Sequence, residues 1–186
     1  MKRDISRQIL KYLLLVGIIS IASTSPYFFP RLFKVIWKSF EYNPPQRKKY
    51  LDAFNYLKRK GFINVERDGY DVVVILTEKG KKKAGKYQID DLKIEKPKKW
   101  DRHWRIVVFD IPNSQRIKRD VFRRKLKELG FYSIQKSVWL HAFSCEKEVE
   151  LLKSFLGLDN KQIQVILADS LENKYLNKQL KKIYKI

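Results

Sequence analysis

A chain of 186 residues with 44% hydrophobic, 13% aromatic and 33% charged side chains carries apolar surface for two compact cores, which excludes a disordered tail or linker. A formal net charge of +21 exceeds what solubility requires and points to a polyanionic partner, nucleic acid first and an anionic membrane surface second. Cys145 is the only cysteine and His103 and His141 the only histidines, so a disulfide framework and a cysteine-based zinc finger are excluded, and a reducing cytoplasm fits.

A first helix is expected from Asp4, an N-cap residue, with Ile5, Ile9, Leu10, Leu13 and Val16 at helical spacing. The apolar run Tyr12 to Ala22 follows Lys2, Arg3 and Arg7 in the manner of a signal peptide. It falls short of the roughly 20 apolar residues of a membrane span and is closed by Ser23, Thr24, Ser25 and Pro26, so the expectation is a buried helix. The lesser reading is an interfacial membrane segment extended by Tyr27, Phe28, Phe29 and Leu32.

Leu32, Phe33, Ile36, Trp37 and Phe40 predict a second short helix with Arg31, Lys34 and Lys38 outside. A third begins after the Asn43-Pro44-Pro45 turn, carries Tyr50, Leu51, Phe54 and Leu57 inward, and ends at Gly61. Phe62 to Arg67, an Asp68-Gly69 turn and Tyr70 to Leu76 read as a hairpin. Three helices and then a hairpin is winged-helix order, with the third helix as the reading element. Gln46, Arg47, Lys48, Lys49, Asn55, Lys58 and Arg59 supply it with phosphate-binding cations and base-reading amides, although a solvated basic face would look the same. Thr77 to Lys86 is a further basic segment, expected as a short helix or wing base that sets Lys79, Lys81 and Lys82 on backbone phosphates.

The apolar period is lost between Tyr87 and Lys99. The expected organisation is a winged-helix domain at 1–87, a charged linker at 88–100, a second domain at 101–170 and a closing helix at 171–186. The second domain reads strand (Trp104 to Phe109), helix (Ile117, Val121, Phe122, Leu126 and Leu129 inward, ended by Gly130) and two strands (Phe131 to Ile134, Ser137 to Phe143). A helix with Val149, Leu152, Phe155 and Leu156 inward and a strand at Ile163 to Leu167 complete it. The fold class is α+β, a winged helix-turn-helix followed by a ferredoxin-like βαββαβ domain. Arg119 and Arg123, in a cluster with Arg116, Lys118 and Arg124, either extend the DNA-contacting surface or keep a helix solvated. Trp139 and His141 are expected in sheet packing or at a dimer interface. A phosphate-cradling glycine loop, a nucleophile elbow and a zinc pattern are all missing from the sequence.

The run Trp104 to Pro112 (WRIVVFDIP), the basic helix leading to Leu129-Gly130-Phe131, and Gln135-Lys136-Ser137-Val138-Trp139 resemble two related families that share this ferredoxin-like unit. One is the small CRISPR-associated endonuclease subunit that partners the spacer integrase. The other is the PaaX-like family of phenylacetate-pathway repressors. Those repressors carry a winged helix before the unit and usually continue into a further helical domain, whereas the CRISPR subunit is typically one short domain. The resemblance therefore favours a homodimeric, cytoplasmic regulator that binds double-stranded DNA and requires no cofactor. The alternative is a CRISPR-associated adaptation protein or magnesium-dependent endonuclease with an added winged helix and the integrase as partner. In that subunit the aspartate ending the first strand is implicated in holding a divalent metal across a symmetric dimer, and Asp110 occupies the motif position. Asp110 is thus a candidate catalytic and metal residue under the nuclease reading alone. Its plainer role is to accept backbone N–H groups in the loop, and the balance leans against an enzyme.

Overall fold

The computed structural model describes residues 5–22, 47–68 and 71–186. The chain divides into two compact units, Met1–Asp90 and Asp91–Ile186. Each holds one antiparallel sheet with helices, so the protein is mixed α+β. None of the helices among the described residues is long and apolar enough to cross a membrane.

In the first unit, α1 (Ile5–Val16) buries Ile9, Leu10 and Leu13 on one stripe. The apolar run does not continue as one helix. Gly17, at φ 76°, donates its N–H to the Leu13 carbonyl and closes α1 in the left-handed region that a side chain disfavours. Ile18–Ala22 then form strand β1, whose partner is β3 (Asp71–Leu76), from Ile18 opposite Ile75 to Ala22 opposite Asp71. The single buried helix expected over Tyr12 to Ala22 is therefore a helix followed by a strand. β-branched Ile18, Ile19 and Ile21 suit an extended chain, and the ladder that recruits them lies far along the sequence.

Strand β2 (Ile63–Asp68) covers the other side of β3, giving the order β1-β3-β2. Helix α2 (Arg47–Arg59) precedes the hairpin and α3 (Glu78–Asp90) follows it. The expected second helix at Leu32 to Phe40, the interfacial segment from Tyr27, Gln46 and turn residues Gly69 and Tyr70 lie outside the described residues. Ile9, Leu10, Leu13, Tyr50, Phe54, Leu57, Ile63, Val74, Leu76 and Ala84 form the core. The Thr77 hydroxyl accepts from the Gly80 N–H (3.0 Å) and donates to the Gly61 carbonyl (2.7 Å), tying the start of α3 to the end of the α2 turn.

The second unit runs β4 (Trp104–Phe109), α4 (Arg116–Glu128), β5 (Tyr132–Gln135), β6 (Val138–His141), α5 (Glu146–Leu156), β7 (Ile163–Ala168) and α6 (Lys174–Tyr184). The sheet order β5-β6-β4-β7 with two crossover helices is ferredoxin-like. Strand alternation and register divide its side chains into two faces. Arg105, Val107 and Phe109 lie on the α4 and α5 side with Trp139, Leu167, Val165 and Ile163, while the His141 ring, at the strand end, meets Tyr184 at 5.0 Å. Phe109 meets Phe122 of α4 edge-on at 5.1 Å there. On the opposite face Trp104 and Leu140 pack beneath Leu180 and Tyr184 of α6, while Ile106 and Val108 lie farther along the same row. Trp139 and His141 are both buried, which places them in packing.

Residues 88–90 of the expected linker continue α3, and from Asp91 on the chain is counted with the second unit. Lys96 Nζ donates to the Tyr184 carbonyl (3.0 Å), and Trp100 Nε1 donates to the Ala142 carbonyl (2.7 Å). Arg105, only 6% exposed, grips Asp101 through both carboxylate oxygens and reaches Glu146 at 3.4 Å. The Arg105 guanidinium holds the Asp101 carboxyl down from 3.8 to about 2. Burial lowers the pKa of His141 from 6.5, keeping its ring neutral as acceptor of the Phe143 N–H.

Both groups bind protons more weakly folded than unfolded, so stability present above the unfolded pKa is lost as pH falls. Thermal midpoints measured from pH 7 downward are expected to decline first below 6.5, from His141, and again between 3.8 and about 2, from Asp101. Asp101→Asn removes the second decline and keeps the first; identical acid profiles for the two proteins would contradict the Asp101 assignment.

Candidate nucleic-acid interface

Helix α2 buries Tyr50, Phe54 and Leu57, a stripe fixed by their three- and four-residue spacing. That orientation forces Lys48, Asn55 and Arg59 onto the opposite, exposed side, with Asp52 between them. Lys49, Tyr56 and Lys58 are also exposed, on the flanks of this row. Arg47 opens the helix, and Gln46 lies outside the described residues. The structure therefore joins Lys48, Asn55 and Arg59 into one row spanning 12 residues, about three helical turns of hydrogen-bonding groups. Sequence reasoning passed over Asp52 and Tyr56. Asp52 stands one turn from Lys48, and a carboxylate there can accept from a cytosine amine as well as temper the local charge.

In α3 the expected cations divide by use. Lys79 donates to the Lys60 carbonyl at 3.0 Å and stands over the Phe62 ring, so it fastens α3 to the end of α2. Lys81 pairs with Glu78 at 2.7 Å, which lowers the pKa of Glu78. Lys82 and Lys86, one turn apart, are exposed and lie along the same helix. Lys83 and Arg7 each stack on the Tyr87 ring, Lys83 at 5.0 Å and Arg7 at 4.8 Å.

The α4 cluster divides the same way. Arg119 donates to the Ile111 carbonyl and to Asn113 Oδ1, at 3.3 and 3.0 Å, bracing the loop after β4. Arg123 donates to the Lys136 carbonyl at 2.9 Å and lies over the Phe109 ring, bracing the β5–β6 turn. Lys118 donates to the Gly157 carbonyl at 3.0 Å. Arg116 and Arg124 make loose pairs, 3.6 Å to Asp120 and 3.9 Å to Glu128, and remain mostly in solvent. Charge along a helix does not reveal which cations a loop carbonyl has already taken.

Asp110 is exposed at the end of β4, and its N–H donates to the Gln162 carbonyl at 2.9 Å. Among the described residues no group of three or more histidine, cysteine or acidic side chains is placed to hold a metal ion. One solvated carboxylate per chain does not make a divalent-metal site, so a metal at Asp110 would need a second Asp110 from a symmetry-related copy. Burial pushes the Cys145 thiol up to about 12, which leaves it protonated and inert beneath α5.

The class these features define is an α+β protein with a basic helix-and-hairpin unit joined to a ferredoxin-like unit. Residues 97–180 match the family described as the PaaX protein central Cas2-like domain. That segment of the second unit is similar to this domain family. No curated protein matches the chain.

Proposed function

We propose that the protein is a double-stranded DNA-binding transcriptional regulator of the PaaX-like kind that acts as a homodimer in the cytoplasm. The observation that carries this reading is the exposed row Lys48, Asn55 and Arg59 on the helix directly before the β2–β3 hairpin. The order α1, β1, α2, β2, β3 is consistent with a winged helix whose α2 enters the major groove while the hairpin flanks it. Lys48, Lys49, Lys58 and Arg59 neutralise phosphates, and Asn55 presents the paired donor and acceptor that suit an adenine edge. Lys82 and Lys86, with Lys79 and Lys81 behind them, extend the phosphate contact along α3. The ferredoxin-like units pair through their sheets, and two-fold symmetry then requires a site with two inverted half-sites. No metal or cofactor enters this activity.

The test is selection of bound fragments from a sheared genomic library at near-physiological salt, sequenced against the input. Recovery of one recurrent inverted repeat is expected and gives the half-site spacing. Flat recovery overturns the site-specific regulator and leaves phosphate binding alone, the behaviour of an adaptation protein or nuclease.

A further inference from the structure

Residues 91–186 hold 22 of the 41 lysines and arginines against 12 of the 20 acidic residues, so about half of the net charge of +21 lies outside the helix-and-hairpin unit. Much of it is gathered on α6, which is built like α2. Leu180 and Tyr184, four residues apart, are buried against the sheet, with Leu176 half-buried one turn before them. The Tyr184 hydroxyl donates to the Leu140 carbonyl at 2.9 Å and the Asn173 side chain accepts the Leu176 N–H at 3.0 Å, so both ends of the helix are fixed. Lys174, Lys178 and Lys182 stand two residues from that stripe, which puts them on the opposite side in one row at four-residue spacing. All three are exposed, and none is tied to a partner among the described residues.

Like charges four residues apart on a helix repel. The other helices of the unit relieve this with acids at three- and four-residue spacing: Arg116 pairs with Asp120, Arg124 and Lys125 with Glu128, and Lys153 with Glu150. From Asn173 to Ile186 there are five lysines and no acid. The segment before β4 adds to the crowding. Lys96 Nζ donates to the Tyr184 carbonyl at 3.0 Å and Lys181 Nζ stands 5.7 Å from the centre of the Trp100 ring, so exposed Lys98 and Lys99 are carried beside the C-terminal half of α6. The fold thus holds cations of two segments together with no acid on the helix between them, a repulsion that a bound polyanion relieves.

We propose that the α6 row is a second DNA-contacting surface, one that takes the phosphates of duplex DNA and reads no bases; the proposal rests on the DNA-binding reading above. The row is lysine alone, a point charge that suits phosphate, with neither the arginine fork nor the amide that reads a base edge. It supplies affinity and register, while α2 supplies the preference for a site. An anionic membrane fits the same charge less well. An interfacial helix inserts its apolar stripe, and that of α6 is already used on the sheet. Its two exposed apolar residues, Tyr175 and Ile183, stand at opposite ends of the helix.

The experiment uses the full chain, a long duplex carrying the selected site and an unrelated duplex of equal length. Lys174→Gln, Lys178→Gln and Lys182→Gln together should weaken binding to both by the same factor, about tenfold or more near physiological salt. The slope of log K against log salt should fall by about 3 per bound chain, because each phosphate contact releases close to one counterion. The ratio of the two affinities should not change, and the melting temperature should hold or rise, since repulsion is removed. Lys127→Gln, Lys136→Gln and Lys161→Gln take the same charge from other exposed positions of the unit and should leave the slope as it was. An α6 variant with the wild-type slope, or a control that lowers the slope as much, overturns the second surface; if the Lys48, Arg59 variant still loses binding, the regulator stands. An α6 variant that loses only its binding to phosphatidylserine vesicles, with duplex affinity unchanged, overturns it in favour of a membrane. A wild-type chain that binds no duplex overturns both.

Discussion

Replacing Lys48 and Arg59 together with glutamate is expected to weaken duplex DNA binding about a hundredfold near physiological salt, while the melting temperature stays where it was. Both side chains are exposed and face away from the buried stripe of Tyr50, Phe54 and Leu57, so neither contributes to the core. Each supplies a phosphate contact in the proposed complex, and each glutamate adds repulsion. The salt dependence gives a sharper reading than the affinity. Losing two phosphate contacts should lower the slope of log K against log salt by about 2, because each releases close to one counterion. Fluorescence anisotropy with a selected site and with unrelated duplex, over a salt series, measures both. An unchanged slope would mean that α2 does not face the phosphates. Arg123→Gln is the contrast. Its head group already serves the Lys136 carbonyl and the Phe109 ring, so the loss should appear in stability more than in affinity.

Gly80→Ala is expected to cost the first unit about 3 kcal/mol, at the upper end of overpacking losses. A Cβ at Gly80 would lie 1.9 Å from the Phe62 carbonyl oxygen and 3.1 Å from Leu76 Cδ2. The close neighbour is backbone, and it is held, because the Phe62 carbonyl accepts the Thr77 N–H at 3.1 Å. No rotamer change relieves the contact; α3 has to move off the sheet or the α2 turn has to open. For a unit of this size the thermal midpoint should fall by about 15 °C. Gly61→Ala is the informative comparison. It sits at φ 68° with nothing within 4 Å of the added carbon, so it suffers backbone strain alone, about 1 kcal/mol. Two-probe melting that resolves the first unit checks the order; equal losses for the two variants would refute the steric account. A Gly80→Ala protein that no longer binds DNA after this loss would show that the row on α2 depends on α3 for its support.

The ferredoxin-like half was legible in the sequence because its signals are local. WRIVVF has the length and β-branched content of a strand, and the observed strand is Trp104–Phe109. The three- and four-residue spacing of Ile117, Val121, Phe122 and Leu126 predicts the helix found at Arg116–Glu128. Gly130 and Gly157 close their helices at positive φ, as a glycine after an apolar stripe signals. The outer row of α2 was equally present in the spacing of its buried residues.

The tertiary structure alone decided three things. Ile18–Ala22 became a strand because β3 offered it a ladder from the other end of the first unit, and hydrophobic runs carry no record of a distant partner. Arg119, Arg123 and Lys79 were drawn to carbonyl oxygens that only the folded loops bring near, whereas Lys48, Arg59, Lys82, Lys86, Arg116 and Arg124 are among the cations left facing outward. The chain from Asp91 to His103, featureless by periodicity, is fastened by Lys96, Trp100 and the Asp101–Arg105 pair. Amphipathic spacing is set within a few residues and is written in the sequence itself. Strand pairing and the capture of carbonyls join residues far apart in the chain, and only the folded molecule determines them.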